Sequence, residues 1–184
     1  MNIKSLLPFV GRKAAKDAKL AEVNELRKQL CTPTVDPKLL RPELLAARDE
    51  RGRTIVHEST VAGGLRHIPH ALLTKQLIDI KDMNGDSVLH MAARGGYLHQ
   101  IPDRFLEVRD LLAKNNKGES PLKLAAQEDC GLDEIPQLRD GPRAHNLRSD
   151  ECIEIAHALS DTGVKNQAVQ SAIETFGGAP PEIS

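Results

Sequence analysis

The sequence predicts an all-α fold, a short helical-repeat solenoid with capping helices at its N- and C-terminal ends. Three observations predict it. Gly52, Gly85 and Gly118 stand 33 residues apart, and the residues around them agree column by column. Aromatic residues make up only 2% of the chain, which withholds the usual filling of sandwiches and barrels; the sequence leans on Leu, Ala and Ile instead. Helix-start and helix-stop residues recur inside each period.

The columns justify the period. Three residues before each glycine stand Asp49, Asp82 and Asn115. Two after it stand Thr54, Ser87 and Ser120, and four after it Val56, Leu89 and Leu122. Five after it stand His57, His90 and Lys123, and seven after it Ser59, Ala92 and Ala125. The agreement continues in Leu65 with Leu98, Ile68 with Ile101 and Pro69 with Pro102. The third copy has Leu132, Ile135 and Pro136, one residue late. The register also runs backward, with Val35, Leu39, Leu40 and Leu44 standing 33 residues before Ile68, Leu72, Leu73 and Leu77. Residues 32–140 are therefore read as a half repeat followed by units near 49–81, 82–114 and 115–140.

Each element follows in order. Residues 1–12 are expected to be a flexible N-terminus. Residues 13–31 read as an amphipathic capping helix with Leu20, Val23, Leu26 and Leu30 near one stripe. In each unit the D-x-x-G-x-[ST] stretch is turn chemistry: the Asx side chain bonds the backbone ahead, and glycine tolerates positive φ. The Thr or Ser then caps a short helix, expected at 55–62, 88–95 and 121–128. Gly63-Gly64, Gly95-Gly96 and Gly131 break that helix. The Ile-Pro pair is expected to start a second helix, with Ile68, Leu72, Leu73 and Ile101, Phe105, Leu106 on its buried face. Residues 139–148 read as an exposed loop. Residues 141–178 hold the C-terminal caps, one helix from Ser149 to Leu159 and another from Val164 to Phe176. Residues 179–184 are a tail.

The stretches "DERGRTIVHESTVAGGLRHIP", "DMNGDSVLHMAARGGYLHQIP" and "NNKGESPLKLAAQEDCGLDEIP" resemble ankyrin repeats. The resemblance covers Val35 to Asp140, rests on the period, the D-x-x-G-x-[ST]-x-[LV]-H block and the Ala pair, and leaves the flanks unmatched. The first copy departs from it with Glu58-Ser59-Thr60, and the third with Lys123 in place of His. The resemblance implies an ankyrin-type stack whose turn tips and inner helix face contact a protein partner. It also implies that His57 and His90 sit at the start of the first helix and bond the neighbouring turn.

Several chemistries are set aside. Gly85-Asp86-Ser87 spells the nucleophile motif of GDSL serine hydrolases, with His90 nearby. No D-x-x-H block and no run of βα units accompanies it. Thr54 and Ser120 fill the same column, which assigns the column to capping. His67 and His70 have H-x-x-H spacing, but Pro69 breaks the helical geometry and no third ligand is indicated. No catalytic residue, metal or cofactor is expected. A net charge of −1 gives no push toward nucleic acid or an anionic membrane. Three cysteines without a CxxC fit a reducing compartment, and no long apolar run predicts a membrane span, so a cytoplasmic monomer is expected.

The function expected is non-catalytic binding of another protein. Carried column by column, the turn contacts are Glu50, Arg51, Arg53, then Met83, Asn84, Asp86, then Asn116, Lys117, Glu119. The inner helix contacts are Val61, Arg94, Gln127 and Glu128. These columns vary while the scaffold columns do not. One alternative is a bacterial effector that binds host proteins. The other is a hydrolase whose site lies outside the repeats, in 141–184.

Overall fold

Helices make up the regular structure of the computed structural model, which describes residues 7–30, 35–127, 132, 135–141, 147–162 and 167–177. Among these residues there is no strand, only an isolated bridge between Arg48 and Thr54. The helices are α1 (Leu7–Leu30), α2 (Pro42–Leu45), α3 (Ile55–Val61), α4 (Lys75–Ile78) and α5 (Val88–Gly95). They continue with α6 (Val108–Leu111), α7 (Pro121–Gln127), α8 (Pro136–Asp140), α9 (Ser149–Ser160) and α10 (Gln167–Gly177).

The packing is serial. Helix α1 lies on α3, α3 on α5, α5 on α7, α7 on α9, and α9 on α10. One apolar core runs the length of this series, from Val23, Leu26 and Leu30 on α1 to Phe176 on α10. Each fully buried Leu or Ile contributes roughly 1.5–3 kcal/mol from leaving water. Small side chains set the spacing in the middle: Ala92, Ala93, Ala125 and Ala126 are wholly buried where α5 meets α7. Gly64 does the same where α1 ends, since a Cβ there would lie 2.5 Å from the Leu30 carbonyl oxygen.

The first helix of each unit falls where the sequence puts it, at 55–61, 88–95 and 121–127. The second does not form as one helix in the first two units. Ile68 and Pro69 are extended (ψ 118° and 132°), and a single 3-10 turn, His70–Leu72, follows. Leu73 is extended again, and the Thr74 side chain accepts from the Leu77 backbone N–H at 3.3 Å, starting the separate helix α4. The proline thus precedes the turn rather than opening a helix, and the Thr74 cap competes with helix continuation. The same break falls at Leu106 and Glu107 before α6. In the third unit Pro136 does take the first helical turn, of α8. The expected apolar face survives the break, because Ile68, Leu73, Ile101, Phe105 and Leu106 are all buried.

The flanks differ from expectation in detail. Helix α1 begins at Leu7, inside the segment expected to be flexible, and Leu20 points away from the stripe, 56% exposed. Arg148 occupies the cap of α9, with its backbone N–H donated to Glu151 at 2.9 Å, so Ser149 is the first helical residue. Helix α10 starts at Gln167; the expected start at Val164 and the tail at 179–184 lie outside the described residues.

Candidate functional site

The turns before α3, α5 and α7 are three copies of one structure. The first-position carboxylate or amide oxygen accepts two backbone N–H groups: Asp49 from Arg51 and Arg53, Asp82 from Asn84 and Asp86, Asn115 from Lys117 and Glu119. All six distances lie between 2.7 and 3.0 Å. The backbone closes each turn twice, as in Asp82 N–H to the Asp86 carbonyl and Gly85 N–H to the Asp82 carbonyl. The closure needs a left-handed residue, and Gly52, Gly85 and Gly118 supply it at φ 74°, 76° and 75°.

Successive turns are also tied to each other. Met83 N–H donates to the Arg51 carbonyl at 3.0 Å, and Asn116 N–H to the Asn84 carbonyl at 2.9 Å. The Asn116 amide adds a bond to the Met83 carbonyl at 3.0 Å. These bonds satisfy backbone groups at the tips, so the side chains there are held on a fixed row. Glu50, Arg51, Met83, Asn84, Asn116 and Lys117 are exposed on that row, Met83 at 71%.

Below the tips, the side chains split into two groups. Arg53 folds back on Asp49 of its own turn at 3.0 Å, and Arg27 of α1 binds Glu58. Hydrogen bonds from Arg53 and Arg51 outweigh burial and hold the Asp49 carboxyl below its usual pKa. In the next turn, Asp86 bridges to the third unit. It accepts from Asn115 Nδ2 at 2.7 Å and pairs with Arg94 at 3.3 Å. Glu119 completes the group, 3.1 Å from Asn115 Nδ2 and 3.5 Å from Arg94.

This corrects one expected contact residue. Asp86 is 3% exposed, so it is an internal linker and not a tip available to a partner. Arg53 and Glu119 are half-buried and also engaged, Arg53 within its own unit and Glu119 with Arg94 of the unit before, whereas Arg94, Val61 and Gln127 remain exposed on their helices. Glu128 lies outside the described residues. The sequence carries a signal for the linker: Asp49 and Asp82 give way to Asn115 in the third copy, where the column of Arg53 holds Asp86 and Glu119.

The serine–histidine pair has a structural explanation in the geometry. His57 Nδ1 accepts the Thr54 backbone N–H at 3.2 Å and lies 2.8 Å from Thr54 Oγ1. That leaves the proton on Nε2, which donates to the Asp86 carbonyl at 3.3 Å. His90 repeats the pattern on Ser87, with Nδ1 3.2 Å from the backbone nitrogen and 2.9 Å from Oγ. Its Nε2 lies near the Glu119 carbonyl but makes no hydrogen bond. Both rings are fully buried, and burial lowers both pKa values against the opposing pull of nearby acceptors. Ser87 Oγ therefore serves a neutral imidazole at a helix start, under cover. In the third copy Ser120 Oγ accepts the Lys123 N–H at 3.2 Å instead.

One concavity borders the tip row. An open cleft of about 530 Å³ lies between α1 and the first turn, lined by Lys19, Leu20, Val23 and Arg27 of α1 and by the chain from Ala47 to Arg51; Val23 is its buried side chain, and Leu20 stands exposed at its edge. The repeat columns could not reveal it, because half of it comes from α1, outside the period.

No family model matches the chain, and no curated protein matches it. Among the described residues no helix is long and apolar enough to cross a membrane.

Proposed function

We propose that the chain is a short ankyrin-type solenoid, capped by α1 at one end and by α9 and α10 at the other, and that it binds another protein without catalysis. The observation that supports this reading is the turn row. Three turns of one geometry recur every 33 residues, are hydrogen-bonded to one another, and present side chains that differ from copy to copy. A rigid frame with variable tips binds at low ordering cost, since the backbone is fixed before the partner arrives. The contact surface proposed is Glu50, Arg51, Met83, Asn84, Asn116 and Lys117 at the tips, with Val61, Arg94 and Gln127 on the helices beside them. Arg53 and Glu119 support this surface from below. The working state proposed is a monomer in the cytoplasm, with neither nucleic acid nor a membrane as partner.

The buried Ser87–His90 pair supports reading Gly85-Asp86-Ser87 as a helix start and not as a hydrolase motif, because Thr54–His57 has the same geometry. Cross-linking mass spectrometry on captured partners tests the proposal, using wild type and a Val61→Asp/Met83→Asp variant. Cross-links are expected at Glu50, Lys117 and their neighbours and are expected to vanish in the variant. Cross-links falling instead on the loop after α3 at Arg66 and on α6 at Arg109, unchanged in the variant, would overturn it.

A further inference from the structure

The cleft beside α1 differs from the rest of the tip row in having an apolar floor. Val23 is buried beneath it, Ala47 is half-buried, and Leu20 stands 56% exposed at its edge. A single exposed leucine is ordinary on a protein surface. Here it lies over a floor that is already apolar, so an aliphatic side chain entering the cleft would shed water against three residues at once.

The charges around that floor do not cancel. Arg27 is taken up by Glu58, and Asp49 by Arg53. What remains at the mouth is Lys19, Arg48 and Arg51 against Glu50 alone. Among the described residues Lys19 and Arg51 have no acidic partner, and Arg48 only reaches the Lys81 carbonyl at 3.5 Å. A positive rim around an apolar floor is complementary to an aliphatic side chain flanked by carboxylates.

We propose that this cleft is a docking subsite for an acidic segment of a partner protein, with one aliphatic side chain on Leu20, Val23 and Ala47 and its carboxylates on Lys19, Arg48 and Arg51. The proposal rests on the protein-binding reading above, since Arg51 and Glu50 belong to the tip row. It adds the chemistry of what binds at the N-terminal end of that row.

The test is a heteronuclear NMR titration of the full chain with capped hexapeptides. The probe is Glu-Asp-Leu-Leu-Glu-Asp; the controls are Glu-Asp-Ser-Ser-Glu-Asp and Lys-Arg-Leu-Leu-Arg-Lys. The acidic leucine peptide is expected to give saturable shifts at Leu20, Val23 and Ala47, weakened at about 0.5 M salt. A Lys19→Glu/Arg51→Glu variant should lose about tenfold in affinity for it, and Leu20→Ser should weaken it without changing the salt dependence. Absence of saturable shifts overturns the proposal. Equal binding of the serine peptide overturns it too, by reducing the cleft to a polyanion surface, and so does equal binding of the basic peptide. Met83→Asp, outside the cleft, should leave peptide binding intact. If partner capture then fails to depend on Met83 while the peptide still binds, the tip-row reading has failed and the subsite stands. If the peptide fails while capture depends on Met83, the reverse holds.

Discussion

The turns at Gly52 and Gly85 share a backbone and differ in where their side chains lead. In the first, Arg53 closes on Asp49 four residues back and stands 3.8 Å from Glu58 on α3, so its side chain stays within its own unit. In the second, Asp86 reaches forward to Asn115 and Arg94 and joins two units. The position is the same, and its neighbours decide whether it is a local brace or a link in the stack. Variation in a repeat column that is not exposed is thus no sign of a partner contact. It also records the internal pairings that fit each unit to the next.

Glycine substitution tests the comparison with the largest expected effect. All three turn glycines have the same φ, so alanine costs roughly 1–2 kcal/mol of left-handed strain at any of them. Only at Gly85 does the next turn stand in the way. A Cβ there would lie 2.9 Å from the Asn116 backbone nitrogen and 2.6 Å from its side-chain oxygen. At Gly52 the nearest atom is 3.5 Å away, and at Gly118 no described atom lies within 4 Å. Gly85→Ala must also displace the Asn116–Asn84 bond, worth about 1 kcal/mol. Urea unfolding should give a loss of about 3 kcal/mol for Gly85→Ala and 1–2 kcal/mol for Gly52→Ala and Gly118→Ala. Equal losses at all three would remove the claim that the central turn is gripped by its neighbour.

Acid should loosen both units through their histidines. Burial holds the folded pKa of His57 and His90 below the ordinary imidazole value of about 6.5, which is that of the unfolded chain. The unfolded chain then binds more protons than the folded one. Stability is fully present above pH 6.5 and falls as pH drops through the window down to the folded values. The slope is at most about 1.4 kcal/mol per pH unit for each ring, and at most about 2.7 for the two. Unfolding free energies measured from pH 7.5 to 5 check this, with His57→Asn and His90→Asn variants as references. A flat profile would mean the rings are not kept neutral.

Much of the frame was legible in the sequence, because period, cap and turn residues act locally. Gly85 with Ser87 fixes a turn and a helix start whatever lies around it, and the three first helices end within a residue of their expected ends. The second helices were not legible, since Thr74 as a cap inside "IPHALLTKQLI" competes with an apolar periodicity that suits one continuous helix equally well. The site divided in the same way. Exposed tips such as Met83 follow from their place in the turn. The burial of Asp86 depends on Asn115 and Arg94, and the cleft depends on how α1 lies against the first turn, neither of which a column of residues can state.

Effects smaller than at Gly85 come from changing the side chains of the comparison itself. Asn115→Asp keeps the acceptor that closes its own turn, since Asp49 and Asp82 do that work in the other copies. It replaces the amide donor 2.7 Å from Asp86 with a second carboxylate in a buried place. Two carboxylates at that distance cannot both ionise, so one pKa rises above its unfolded value. The variant should lose about 2 kcal/mol at pH 7.5 relative to wild type. A raised carboxylate pKa adds stability at low pH and loses it as pH rises through the folded value. The deficit, taken against wild type at each pH, should therefore shrink toward pH 4. Arg53→Ala is the counterpart in the first turn. It removes a half-exposed pair and leaves Asp49 its two backbone donors, so a loss of about 0.5 kcal/mol is expected, which fades only as pH falls below the ordinary carboxylate pKa and Asp49 itself takes a proton. A pH-independent deficit in Asn115→Asp, or a loss in Arg53→Ala as large, would erase the distinction between brace and link.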